Sequence, residues 1–142
     1  MADNVLLIDD DKDFLDVMTD RMEARGLEVA SSTSAEDALS MIKKGAYDCI
    51  ILDLQMPGMD GIEALKAIKE IQPEAQIILL TGHATVEKGV EAIKLGATDF
   101  IEKPADLETL TRKIKNAHAQ KIMIVEKKEK EAVMDALKRF GM

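Results

Sequence analysis

Five short apolar runs punctuate the chain, each closed by polar or turn residues and followed by a stretch with helical spacing. Val5-Leu6-Leu7-Ile8 is the first, and it stops abruptly at Asp9-Asp10-Asp11. A continuous run of that length predicts a strand buried on both faces, as parallel strands usually are. Asp11 is placed to cap the next helix. Its apolar positions Phe14, Leu15, Val17, Met18, Met22 and Leu27 recur at helical spacing, and Gly26 stops it. Leu27 to Ala30 predicts a short second strand and Ser31 to Ser34 a polar turn. Ser34 then caps a helix with Ala35, Ala38, Leu39, Met41 and Ile42 inward, ending at Gly45.

Cys49-Ile50-Ile51-Leu52 predicts the third strand and closes on Asp53, with Pro57-Gly58 and Asp60-Gly61 marking the loop beyond. Gly61 to Ile71 predicts a helix with Ile62, Leu65 and Ile68 inward, and Gln72-Pro73 terminates it. Gln76 to Leu80 is the fourth strand, ending at Thr81-Gly82. A helix through Val86, Val90, Ile93 and Leu95 follows and stops at Gly96. Thr98 to Ile101 predicts a fifth strand before Glu102-Lys103-Pro104, and from Asp106 the pattern is helical again, with Leu107, Leu110 and Ile114 on one face.

Five strands and five helices in strict alternation predict an α/β fold with a doubly wound parallel sheet. Right-handed crossovers bring the carboxyl ends of all strands to one edge, where open α/β sheets bind ligands. That edge collects Asp9, Asp10, Asp53, Thr81 and Lys103. Clustered carboxylates repel unless a cation sits among them, and hard oxygen ligands in that number suit Mg²⁺. A lysine and a hydroxyl suit the oxygens of a phosphoryl group, so the set points to Mg²⁺-assisted transfer of a phosphoryl group to a carboxylate. Taken singly, an aspartate after a strand is more often a helix cap, Thr81 reads equally as the start of a turn, and Lys103 as a solvated charge. Four strand ends contributing suitable residues together carry the reading.

The order Asp9-Asp10, Asp53 with Met56-Pro57-Gly58-Met59-Asp60-Gly61, Thr81-Gly82, and Asp99-Phe100-Ile101 with Lys103-Pro104 resembles the receiver domain of bacterial response regulators. The resemblance covers about residues 3 to 120. It implies a flavodoxin-like five-stranded sheet of order 2-1-3-4-5, a receiver domain over 1–120, and a C-terminal helical extension or linker over 121–142. It further implies that Asp53 accepts a phosphoryl group from a phosphohistidine on a sensor histidine kinase. Mg²⁺ would be held by Asp10, Asp53 and the backbone carbonyl of Gln55, with Asp9 acting partly through water. Lys103 would contact a phosphoryl oxygen, Thr81 would swing toward it, and Phe100 would be the switch aromatic; on the residues alone Phe100 reads as an ordinary core residue. The Lys103-Pro104 bond would be cis. The surface that answers would lie around the fourth helix, fifth strand and fifth helix, about residues 84 to 117. Gln55 and His83 occupy positions where the family tunes phosphoryl lifetime; His83 reads as a rim residue and His118 as a surface or seam residue.

Composition narrows the rest. No run approaches the roughly 20 apolar residues that span a bilayer, and no secretory signal opens the chain. Cys49 has no second cysteine to pair with, which favours a reducing, cytoplasmic setting. The net charge of −8 argues against direct binding to nucleic acid. After Ile114, Ile122, Val125, Val133, Leu137 and Phe140 suggest a continued helix interrupted by the charged run Glu126 to Glu131. Its apolar face has no core of its own, so it reads as a pairing surface for a second copy or a partner, with a partly frayed extension of the last helix as the plainer alternative. That helix and the surface of the fourth helix, fifth strand and fifth helix are the two places where a homodimer could form, and the sequence leaves the oligomeric state open. The function expected is a phosphoacceptor switch acting on a downstream protein, with at most slow self-dephosphorylation. A receiver cut from a larger transcriptional regulator is the alternative. A phosphohydrolase with an aspartate nucleophile needs a second acid two residues on, and the amide of Gln55 cannot serve.

Overall fold

The apolar runs pair side by side as one parallel sheet, seen in a computed structural model that describes residues 3–54, 60–82, 86–104 and 106–141. Among those residues the strands are β1 (Asn4–Ile8), β2 (Glu28–Ser32), β3 (Cys49–Asp53), β4 (Ile77–Thr81) and β5 (Asp99–Glu102). Their order is β2-β1-β3-β4-β5, with every neighbouring pair parallel. The helices are α1 (Lys12–Ala24), α2 (Ala35–Lys44), α3 (Gly61–Ile71), α4 (Val86–Lys94) and α5 (Leu107–Arg139). Alternate strand residues feed two cores, because successive side chains point to opposite faces. Leu6, Ile8, Ile50, Leu52, Ile77 and Leu79 pack under α2, α3 and α4. Val5, Leu7, Ile51, Ile78 and Leu80 pack under α1 and α5.

Local chemistry sets the helix starts as expected. Asp11, Ser34 and Asp106 each accept a backbone N–H from the first turn of α1, α2 and α5. Gly26, at φ +89°, turns the chain out of α1. The second strand lies one to two residues later than its apolar residues suggest. Leu27 closes the end of α1 by donating to the Met22 carbonyl, and polar Ser31 and Ser32 pair with Leu7 and Ile8. On an edge strand the backbone ladder, not side-chain apolarity, fixes the limits.

Two helices depart further from the reading. Helix α4 meets the sheet through Gly89 and Ala92, while Val90, Ile93 and Leu95 stand 46%, 38% and 40% exposed. Small residues let the helix approach β5 closely enough for the Phe100 ring to lie against Gly89. Helix α5 continues without a break through Glu126–Glu131. Glutamate and lysine are good helix formers, and Glu126 stands four residues ahead of Lys130, the favourable orientation for such a pair.

As α5 passes the amino-terminal edge of the sheet it remains tied to the body. His118 Nδ1 meets Asp3 and its Nε2 lies 3.2 Å from Asp48; Lys121 donates to the Tyr47 carbonyl at 2.7 Å, and Lys128 pairs with Glu74. No helix among the described residues is long and apolar enough to cross a membrane.

Candidate functional site

The site lies at the opposite, carboxyl edge. Asp53 is the last residue of β3, Thr81 the last of β4, and Asp9 follows β1 directly. All three are buried because the flanking central strands are buried on both faces: Asp9 0%, Asp53 4% and Thr81 0% exposed. Asp10 is exposed at the rim. One carboxylate oxygen from each of Asp9, Asp10 and Asp53 falls within 4.8 Å of the others. Lys103, just past β5, donates to Asp9 Oδ2 at 3.0 Å and stands 3.5 Å from Asp53 Oδ2. Burial alone would lower the Lys103 ammonium's pKa, but Asp9 and Asp53 outweigh it and hold the group above the ordinary lysine range.

The donor set fits a hard divalent cation: three carboxylates converge, and oxygen is the donor that Mg²⁺ takes. Asp9 is already engaged on both oxygens, since Oδ1 accepts the Asp11 N–H at 2.9 Å while Oδ2 holds Lys103. Thr81 Oγ1 donates to the Gly82 carbonyl at 3.0 Å, and the Phe100 ring is half-buried on β5. The Lys103-Pro104 peptide is cis. Gln55 and His83, and residues 84 and 85 of the expected answering surface, lie outside the described residues.

Three features escaped the sequence reading. Asp60, read as loop, caps α3 by accepting the N–H groups of Ile62 at 2.6 Å and Glu63 at 3.3 Å; an aspartate directly before an apolar helical run was the available signal. Gly61 is needed for close approach, because a Cβ there would stand 2.6 Å from the Leu54 Cα. The Lys103 ammonium also lies over the Phe14 ring, 4.9 Å from its centroid, a contact between residues 89 apart that spacing cannot reveal.

A second group of possible metal ligands, Asp3, Asp48 and His118, lies at the amino edge. Its carboxylates face opposite ring nitrogens, an arrangement for hydrogen bonding rather than for a shared ion. Cys49 beneath it is inert: burial, then Asp3 and Asp48 nearby, push its thiol pKa far up.

Comparison with known proteins bears on this geometry directly. The family model described as the response regulator receiver domain matches residues 5–115. The C4-dicarboxylate transport transcriptional regulatory protein DctD of Rhizobium meliloti is 34% identical over 144 residues, covering 99% of this chain and 31% of that protein. The transcriptional regulatory protein FixJ of Bradyrhizobium diazoefficiens is 38% identical over 117 residues, covering 82% of this chain and 57% of that protein. The chain thus spans about a third to just over half the length of these curated relatives. A receiver domain protein from Clostridium thermocellum superimposes with a TM-score of 0.83 at 31% identity, covering 87% of this chain and 99% of that one. Receivers of this family are signalling phosphoacceptors that histidine kinases phosphorylate and that act on downstream partners. A parallel sheet of order 2-1-3-4-5, an acidic cluster at its carboxyl edge and a family match over residues 5–115 place the chain in the response regulator receiver family.

Proposed function

We propose that Asp53 accepts a phosphoryl group from a phosphohistidine on a sensor histidine kinase. The single observation that carries this is Lys103 Nζ between Asp9 and Asp53, at 3.0 and 3.5 Å, beside three converging carboxylates. An Asp53 carboxylate oxygen forms the new bond to phosphorus as the bond from phosphorus to the donor imidazole nitrogen breaks. Lys103 then balances charge on a phosphoryl oxygen, and the Thr81 hydroxyl, freed from the Gly82 carbonyl, donates to another. Mg²⁺ bound by Asp10 and Asp53, with Asp9 partly through water and the Gln55 carbonyl completing the protein ligands, would neutralise charge on the transferring group. Water attacking the phosphorylated Asp53 would reverse the modification slowly; the chain is a switch rather than an enzyme.

The change is read outward through Phe100. Its ring already rests on Gly89 of α4, so a shift of Thr81 and the ring together would alter the surface formed by α4, β5 and α5. Exposed Val90, Ile93 and Leu95 give that surface an apolar character suited to a protein partner. We assign residues 1–120 to the receiver and 121–142 to a helical extension, whose Ile122, Val133, Leu137 and Phe140 are exposed and suit pairing with a second copy. A cytoplasmic site of action accords with a histidine kinase donor. A second reading, a receiver within a larger transcriptional regulator, is favoured by the relatives' own descriptions and by the fraction of them that this chain spans.

Intact mass after incubation with acetyl phosphate and Mg²⁺ tests the assignment. Wild type gains one phosphoryl group, roughly 80 Da, while Asp53→Asn does not. Uptake by Asp53→Asn equal to wild type would overturn the assignment of Asp53.

A further inference from the structure

We propose that Phe14 is a positioning residue for the chemistry at Asp53, its ring face giving the Lys103 ammonium a third, neutral seat beside the two carboxylates. The inference rests on the acceptor reading above. The ammonium stands 4.9 Å from the ring centroid, within the roughly 6 Å over which an aromatic face attracts a cation. The ring is not placed by chance. Phe14 sits in the first turn of α1, where its N–H donates to the capping carboxylate of Asp11 at 3.1 Å, and its side chain packs on the α1–α5 core. Asp11 in turn donates its own N–H to Asp9. One short segment therefore fixes both a carboxylate seat and the aromatic seat of the same lysine.

The two kinds of seat behave differently during transfer. Asp53 is modified by the reaction, and Asp9 lies in the group that converges on the cation site. Both carboxylates therefore change their demand on Lys103 as the phosphoryl group arrives. A phenyl face neither titrates nor reacts. It keeps the ammonium over the pocket while the anionic partners are redistributed, and it shields one side of that charge from water, which strengthens its action on the pocket. An aliphatic side chain in this place would fill the space without attracting the charge.

Two variants separate these roles. Phe14→Leu keeps the apolar bulk and removes the ring; Phe14→Tyr keeps the ring. The first readout is the NMR shift of the Lys103 ε-methylene protons, which a ring face moves upfield whether or not Asp53 is ever phosphorylated. The second is the rate of phosphoryl uptake from acetyl phosphate with Mg²⁺. The expected result is an upfield shift in wild type and Phe14→Tyr that vanishes in Phe14→Leu. The rate should fall about three- to tenfold in Phe14→Leu and return to within about twofold of wild type in Phe14→Tyr. Ordinary lysine shifts in a wild type that does take up phosphate would overturn the positioning role alone. So would a folded Phe14→Leu protein with the wild-type rate, or Phe14→Tyr as slow as Phe14→Leu. A wild type that shows the shift but takes up no phosphate would overturn the acceptor reading, and the role of Phe14 with it. If Phe14→Leu does not fold, Phe14→Met repeats the comparison with the same criteria.

Discussion

Lys103 shows how a single side chain inherits its properties from its neighbours. Its charge is partly desolvated, yet Asp9 and Asp53 hold the proton on more firmly than water would. The native state therefore keeps a proton that the unfolded chain has lost, in a window above the ordinary lysine value. In that window stability falls as pH rises; below it the contribution is fully present. The urea midpoints of wild type and Lys103→Met should accordingly draw together between pH 9 and pH 11 (about half a unit or more either side of an ordinary lysine). A constant gap would remove the linkage. Gly61 carries a steric constraint instead. A methyl group there meets the Leu54 backbone at 2.6 Å and 3.0 Å, one residue from Asp53. Gly61→Ala should cost about 1–3 kcal/mol in denaturant unfolding and slow phosphoryl uptake at Asp53 as well.

Helices α4 and α5 show how packing reassigns residues that look equivalent in sequence. The apolar stripe Val90, Ile93 and Leu95 is spaced for a core, yet Gly89 and Ala92 occupy the buried face, with the Phe100 ring lying against Gly89. A Cβ at Gly89 would meet that ring at 3.4 Å, ordinary contact, so Gly89→Ala should stabilise the fold by about 0.5–1 kcal/mol through helix propensity. Thermal unfolding checks the sign, and a loss of stability would mean that the ring cannot accept the methyl group. On α5, His118 stands one residue beyond the last buried contact, Ala117, and bridges to Asp3 and Asp48. Removing the ring takes from Asp3 and Asp48 the group that bridges them, leaving Asp48 the Asn4 N–H at 2.7 Å and Asp3 the more distant Lys115 ammonium at 3.9 Å. His118→Ala should cost about 1–3 kcal/mol and speed hydrogen exchange in the following helical turns, while exchange in β3 and β4 changes little.

Across the chain as a whole, the two edges of the sheet are put to different uses. The carboxyl edge concentrates acids around one lysine; the amino edge clasps a helix that runs on past the body. An ion bound only by the folded carboxyl edge must stabilise the fold, by about 1.4 kcal/mol at ten times its dissociation constant. Mg²⁺ should therefore raise the melting temperature of wild type and not that of Asp10→Asn. The long helix predicts behaviour of a different kind. If its exposed stripe pairs with a second copy, Val133→Lys with Leu137→Lys should lower the sedimenting mass toward 15.6 kDa without slowing phosphoryl uptake. An unchanged mass would remove the stripe from the interface.

The alternation of apolar runs and helical stretches, read from residue order alone, already implied a parallel sheet and hence a shared edge for Asp9, Asp10, Asp53, Thr81 and Lys103. That much is legible because strand burial and crossover handedness are local or nearly universal constraints. Motif residues made the family resemblance visible for the same reason, since each sits at a strand end whose position is locally encoded. Other features depend on which surfaces meet. The limits of β2 follow from ladder pairing with β1, and the outward turn of the apolar residues of α4 goes with the Phe100 ring lying against Gly89. The unbroken course of α5 reflects helix propensity that a hydrophobic pattern does not register. The seat of Lys103 over Phe14 joins two residues 89 positions apart, and the clasp of His118 joins α5 to loops at both Asp3 and Asp48. Contacts of that range arise only when the sheet has closed, so composition and spacing carry no trace of them.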